Sequence, residues 1–182
     1  MADVSGHGVG AGLLMGMVKS AARTQLRAAP SISALLNELN PVLFDLSKPD
    51  MFVTFGGMQF DEASGVQFSL AGHLPILHVR SASSCVDELS LAQVPLAMFG
   101  DRRYTSAPVA FAPGDLFVIL TDGLTEVFDA HDQELGLAGI KDVIRQHANA
   151  PLDRMRDALL AAAHAHGPQL DDQTLLLIRA AA

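Results

Sequence analysis

Between Met51 and Thr121 the chain is a succession of short apolar runs, most of them joined by connections too brief for a helical crossover. "MFVTFGGMQF" is followed by the turn "DEASG" and the alternating "VQFSLAG", which together read as a hairpin. "PILHVR" and "CVDELSL" supply two more strands, and "APVAF" and "DLFVILT" read as a further pair joined by the turn "APGD". Strands linked by turns pair antiparallel, because a parallel neighbour needs a connection of about a dozen residues. Helical periods flank this block. Ala11 to Ala28 is apolar at helical spacing and stops at Pro30; Ser31 then reads as the N-cap of "ISALLNELNPVLFDLS", which Pro41 should kink or interrupt. "LGLAGIKDVIRQHA" and "PLDRMRDALLAAAHAH" are helical, the second with Pro151 near its first turn, and "QTLLLIRA" closes the chain as a strand. Two helices, a block of strands, two helices and a last strand make an α+β protein rather than a doubly wound one.

Length and charge narrow the function classes. A chain of 182 residues is one domain by size, with enough apolar content (49%) to bury a core. No apolar run reaches the roughly 18 to 20 residues of a membrane span. The opening also lacks the basic-then-apolar layout of a signal peptide, and Cys85 stands alone, so a cytoplasmic setting is expected. Twenty acidic residues against 12 basic ones give a net charge of −8, which disfavours nucleic acid as a partner. The same balance suits a divalent cation, although acidity alone also serves solubility.

Three places put a carboxylate at the edge of an apolar strand: Asp3 in "ADVSGHG", Asp122 in "ILTDGLTE", and Asp171 with Asp172 in "QLDDQTLLLI". Each alone is an ordinary turn former. Three such rims at one end of a fold would crowd negative charge, which a hard divalent cation relieves; Mg²⁺ and Mn²⁺ favour this set of oxygen donors. The first site also carries a glycine turn and a helix start, "SGHGVGAG".

The segments "DVSGHGVGAGLLMGMVKSAA", "FVTFGGMQFDEASGVQFSLAGHLPILHVR", "PGDLFVILTDGLTEVFDAHDQELGLAGI" and "DDQTLLLIRA" resemble the successive motifs of SpoIIE-type bacterial phosphatases, a branch of the metal-dependent type 2C (PPM) serine/threonine phosphatases. The resemblance implies a four-layer α-β-β-α sandwich of two antiparallel sheets flanked by helices. It also implies two divalent cations, Mn²⁺ or Mg²⁺. By the same likeness Asp3 bridges the ions, the Val4 carbonyl contacts one, and Asp122 and Asp171 are ligands, with Asp172 a weaker candidate beside them. The implied reaction is hydrolysis of phosphoserine or phosphothreonine by an activated water, without a phosphoenzyme. The implied substrate is a phosphorylated regulatory protein of the anti-anti-sigma type, with a sensor domain upstream. Members carry a further hairpin before the first block, so residues 1–182 are expected to be a PPM domain missing its first strands, prone to homodimer formation and weak in activity or without it. The competing expectation is a catalytically weak or silent signalling domain that acts by binding a partner or by dimerising.

Other residues carry less. His7, between Gly6 and Gly8, reads as a turn residue more than a catalyst, and His73 as structural. Thr125 and Glu126 read equally as the regulatory switch segment that the resemblance suggests or as part of a short helix capped by Asp122 or Thr125. His164 and His166 lie two apart on a helix and face different ways, so they are no metal pair. Gly6, Gly8 and Ala11 fit a dinucleotide fingerprint formally, but a helix rather than a parallel strand follows. Met15 and Met17 read as core filler.

Overall fold

The computed structural model describes residues 1–28, 30–61 and 65–181. The chain forms two compact units, one of Met1–His73 with Ser90–Ala110, the other of Leu74–Leu89 with the chain from Phe111 onward. Each has one four-stranded antiparallel sheet and a pair of α-helices, so the α+β class expected from the sequence holds.

In the first unit the sheet order is β1 (Ala2–Val4), β2 (Val53–Asp61), β3 (Gly65–Ala71) and β6 (Ala107–Val109). Asp3 sits opposite Thr54, and Met58 opposite Phe68. The β2–β3 hairpin forms as read, although most of its "DEASG" turn lies outside the described residues. Helices α1 (Val9–Gln25) and α2 (Ile32–Leu46) contribute Leu14, Val18, Leu36, Leu39 and Leu43 to a core shared with Val53, Leu96 and Tyr104. Met15 and Met17 pack at its margin, as core filler should. Ser31 caps α2 as expected, its hydroxyl accepting from the Ala34 N–H at 3.2 Å, and Gln59 on β2 takes the Ile32 N–H at 2.8 Å.

Pro41 does not interrupt α2, which runs unbroken past it. A proline inside a helix costs about 3 kcal/mol. Here Leu36, Leu39 and Leu43 on the other face are fully buried, and the two asparagines before the proline are tied to the 97–104 loop. Asn37 exchanges hydrogen bonds with Tyr104 (2.8 and 3.0 Å), and Asn40 accepts from Ala97 N–H at 3.0 Å while donating to Phe99 O at 2.8 Å. Tertiary anchoring outweighs the local penalty.

In the second unit the order is β5 (Val86–Leu89), β4 (Ile76–Val79), β7 (Leu116–Leu120) and β8 (Leu175–Arg179). All five residues of β7 are buried, as a central strand with a continuous apolar run requires. Helices α3 (Gly136–Gln146) and α4 (Leu152–His166) add Ile140, Ile144, Met155, Leu159 and Ala163 to its core.

The strand pair read across "APGD" is corrected: β6 pairs with β3, whereas β7 pairs with β4 and β8. Pro108 suits β6 to the edge place it occupies, while β7 needs partners on both sides. The turn itself is fixed by Asp115, which is buried. Its carboxylate accepts from the Ala112 N–H (3.0 Å), the Ser81 N–H (2.8 Å) and His78 Nε2 (2.8 Å). His78 is fully buried on β4 and stacks on Phe117, ring centroids 4.4 Å apart. Burial alone would push the Asp115 carboxyl up, but these hydrogen bonds outweigh it and hold the group well below the usual carboxylate range. Among the described residues no helix is long and apolar enough to cross a membrane.

Candidate active site

In the second unit the chain leaves β7 at Leu120, passes Thr121 and turns through a short 3-10 segment, Asp122–Leu124. The Asp122 carbonyl accepts from the N–H of Thr125 (2.8 Å) and of Glu126 (2.7 Å), and from the Thr125 hydroxyl (3.2 Å). Thr125 is buried and serves the end of this turn, while Glu126 is exposed. The turn lies against the segment leading into β8. Thr121 N–H donates to Thr174 O at 3.0 Å; its hydroxyl donates to Asp172 O at 3.1 Å and accepts from Thr174 N–H at 3.0 Å. Asp171 bends its own chain, one carboxylate oxygen taking the Asp172 N–H at 2.7 Å.

Gly123 makes this approach feasible. A Cβ there would collide with the Asp172 carbonyl and stand 3.3 Å from the carbonyl carbon of Asp171. Gly123→Ala is expected to lower stability by about 1–3 kcal/mol, as overpacking does, with the loss read as a fall in the urea midpoint. An unchanged midpoint would show that the two segments are not in close contact.

The electrostatics follow from this closeness. Burial first, then the charges of Asp122, Glu134 and Asp171, push the Glu126 carboxyl above its ordinary value. Among the described residues no Lys, Arg or His forms an ion pair with Asp122, Glu126, Glu134, Asp171 or Asp172. The fold gathers carboxylates here with no basic partner in an ion pair among the described residues. They are neighbours rather than a closed cage: among the described residues no three Asp, Glu, His or Cys side chains form a metal-holding group.

The first unit carries the other expected residues. Asp3 lies on β1 and Val4 beside it is buried. The strand end is pinned to β2's approach by Ser5, whose N–H donates to Phe52 O at 3.0 Å and whose hydroxyl accepts from Phe52 N–H at 2.9 Å. Gly6 and Gly8, both at φ +83°, then turn the chain into α1, which starts with no side-chain cap. The glycines do the turning; His7 between them is exposed and, among the described residues, makes no hydrogen bond. The His73 ring lies against β2 at Gly56. His166 bonds Gln133 O at 2.8 Å, while His164 is exposed, so the two do not act together.

The sequence reading found the acidic turns but missed Thr121 and Gly123, the residues that join two of them. The signal was present in "LTDGL": a hydroxyl and a Cβ-free residue flank the aspartate, as a close backbone approach requires.

Comparison with known proteins gives this arrangement its context. Residues 1–181 match the family described as Stage II sporulation protein E (SpoIIE). The phosphoserine phosphatase RsbU of Bacillus subtilis is 27% identical over 127 residues, covering 69% of this chain and 38% of RsbU. The chain thus spans well under half the length of that relative. The SiaA PP2C domain of Pseudomonas aeruginosa superposes with a TM-score of 0.80 at 25% identity, over 98% of this chain and 73% of that one. The RsbU and RsbW domains of Rv1364c from Mycobacterium tuberculosis give a TM-score of 0.79 at 28% identity, over 99% of this chain and 51% of theirs. The match runs through the acidic turns, the glycine turn and the described strands, and on it this chain belongs to the SpoIIE family as a phosphatase domain of the PPM (PP2C) type.

Proposed function

We propose that this domain hydrolyses phosphoserine or phosphothreonine on a regulatory signalling protein, such as an anti-anti-sigma factor, with two divalent cations, Mn²⁺ or Mg²⁺. The residues proposed to hold them are Asp122 and Asp171, with Asp172 beside them, in the second unit, and Asp3 with the Val4 carbonyl in the first. The donor chemistry fits. All are hard oxygens, and the carboxylates around Asp122 raise Glu126 instead of finding a basic partner. When bound, such cations lower the pKa of a coordinated water and neutralise phosphoryl charge. The protein's own part is to hold the carboxylates in place. Thr121 and Gly123 do this for the Asp171 segment, and the strand register does it for Asp3.

The observation that carries the reading is the clasp of the Asp122 turn onto Asp171–Asp172, two acidic turns some 50 residues apart in sequence brought into backbone contact. The phosphoserine activity named for the RsbU relative, and the RsbW domain joined to RsbU in the mycobacterial neighbour, support a phosphorylated regulatory protein as substrate. A cytoplasmic setting suits the lone exposed Cys85. Control by a sensor segment, and homodimer formation, belong to the same proposal. The test is phosphate release from a phosphoserine peptide. Release is expected with Mn²⁺ present and abolished by a chelator. Absence of release at saturating Mn²⁺, with the fold intact, would favour the silent partner-binding domain.

A further inference from the structure

Thr121 is buried, and its side chain does more than fill space. The regular β7–β8 ladder ends at the pair Leu120 and Leu175. Thr121 extends it with its backbone, through the N–H to Thr174 O bond of 3.0 Å, and then again with its hydroxyl. That oxygen accepts from Thr174 N–H at 3.0 Å and donates to Asp172 O at 3.1 Å, with Thr174 O a longer alternative at 3.5 Å. One hydroxyl therefore satisfies a donor and an acceptor at both ends of the arch that contains Asp172 and follows Asp171. The residue bearing that hydroxyl is covalently next to Asp122. Nothing else in the unit ties the two acidic turns by a side-chain hydrogen bond among the described residues.

We propose that the Thr121 hydroxyl is a positioning group that sets the spacing between the Asp122 and Asp171 carboxylates and so tunes cation affinity. This rests on the proposed metal-ligand role of those aspartates, but the mechanical half of it, the fixing of the arch, stands without any ion. A residue oriented by a side chain one step away from a metal ligand typically changes affinity by about 10–100-fold when that side chain is lost. Valine keeps the shape of threonine and removes the hydroxyl, leaving the Thr174 N–H and the Asp172 carbonyl unsatisfied. Serine keeps the hydroxyl and removes the methyl.

The experiment combines Mn²⁺ titration with amide hydrogen exchange on the same chains. In Thr121→Val the Mn²⁺ dissociation constant is expected to rise by about 10–100-fold, and in Thr121→Ser to stay within a few-fold of the unsubstituted protein. Without any metal, exchange at Thr174 is expected to accelerate in Thr121→Val while the core amides of β7, such as Val118, keep their protection. Unchanged Mn²⁺ affinity in Thr121→Val overturns the proposal. So does faster exchange at Thr174 that is matched by Val118, because that is global loss of stability. If the unsubstituted chain binds no Mn²⁺, the metal-ligand reading of Asp122 and Asp171 fails by itself. The exchange comparison then decides the positioning role alone: selective acceleration at Thr174 supports it and parallel acceleration overturns it.

Discussion

Asp122→Asn is expected to reduce Mn²⁺-dependent dephosphorylation by more than the roughly 10–100-fold that loss of an outer-shell partner brings, and to leave the fold in place. The reason is the division of labour at this residue. The Asp122 backbone carbonyl closes the turn, taking hydrogen bonds from Thr125 and Glu126, while no hydrogen bond or ion pair to its carboxylate is formed among the described residues. Asparagine keeps the shape and the backbone and discards the charge. It also removes one of the three charges that raise Glu126, so the substituted protein should be no less stable at neutral pH. Steady-state kinetics and a thermal melt on the same sample check both halves. Turnover within a few-fold of the unsubstituted chain would remove Asp122 from the ligand set.

Asp115→Ala is expected to be the most damaging single change in the second unit, at about 3–5 kcal/mol, the cost of stripping several buried groups of their shared hydrogen-bond acceptor. It would strand His78 Nε2 and the N–H groups of Ser81 and Ala112, in a site where His78 is fully buried. The pH dependence has a definite sign. The native carboxyl titrates below its unfolded value of about 3.9, so the folded state binds fewer protons. The stability it contributes is complete above that value and is lost as pH falls below it. Urea unfolding of the Asp115→Asn variant and the unsubstituted chain should differ most near neutrality, with the gap beginning to narrow as pH falls below about 3.9. A gap that does not narrow between about pH 5 and pH 2 would contradict this assignment.

What the sequence made legible was whatever is encoded locally. The hairpin of β2 and β3 and the Ser31 cap both follow from turn chemistry and period. What escaped was long-range. "APGD" reads the same whether the chain returns to its own sheet or leaves for another. The choice is made by Asp115 reaching His78 and Ser81, more than 30 residues earlier. A buried histidine in the run "ILHV" was the available hint, since such a group needs a partner. Pro41 misled for a related reason: the loop contacts of Asn37 and Asn40 come from residues about 60 positions on. At the site, the aspartates were visible as strand-end carboxylates. The clasp between two of them was not, because it depends on a missing Cβ at Gly123 and a buried hydroxyl at Thr121.

The central claim is that these acidic turns exist to bind divalent cations, and calorimetric titration with Mn²⁺ tests it most directly. The unsubstituted chain should take up two ions, with binding lost or sharply weakened in Asp3→Asn, Asp122→Asn and Asp171→Asn. A folded chain that takes up none, or whose binding is indifferent to all three substitutions, would contradict it.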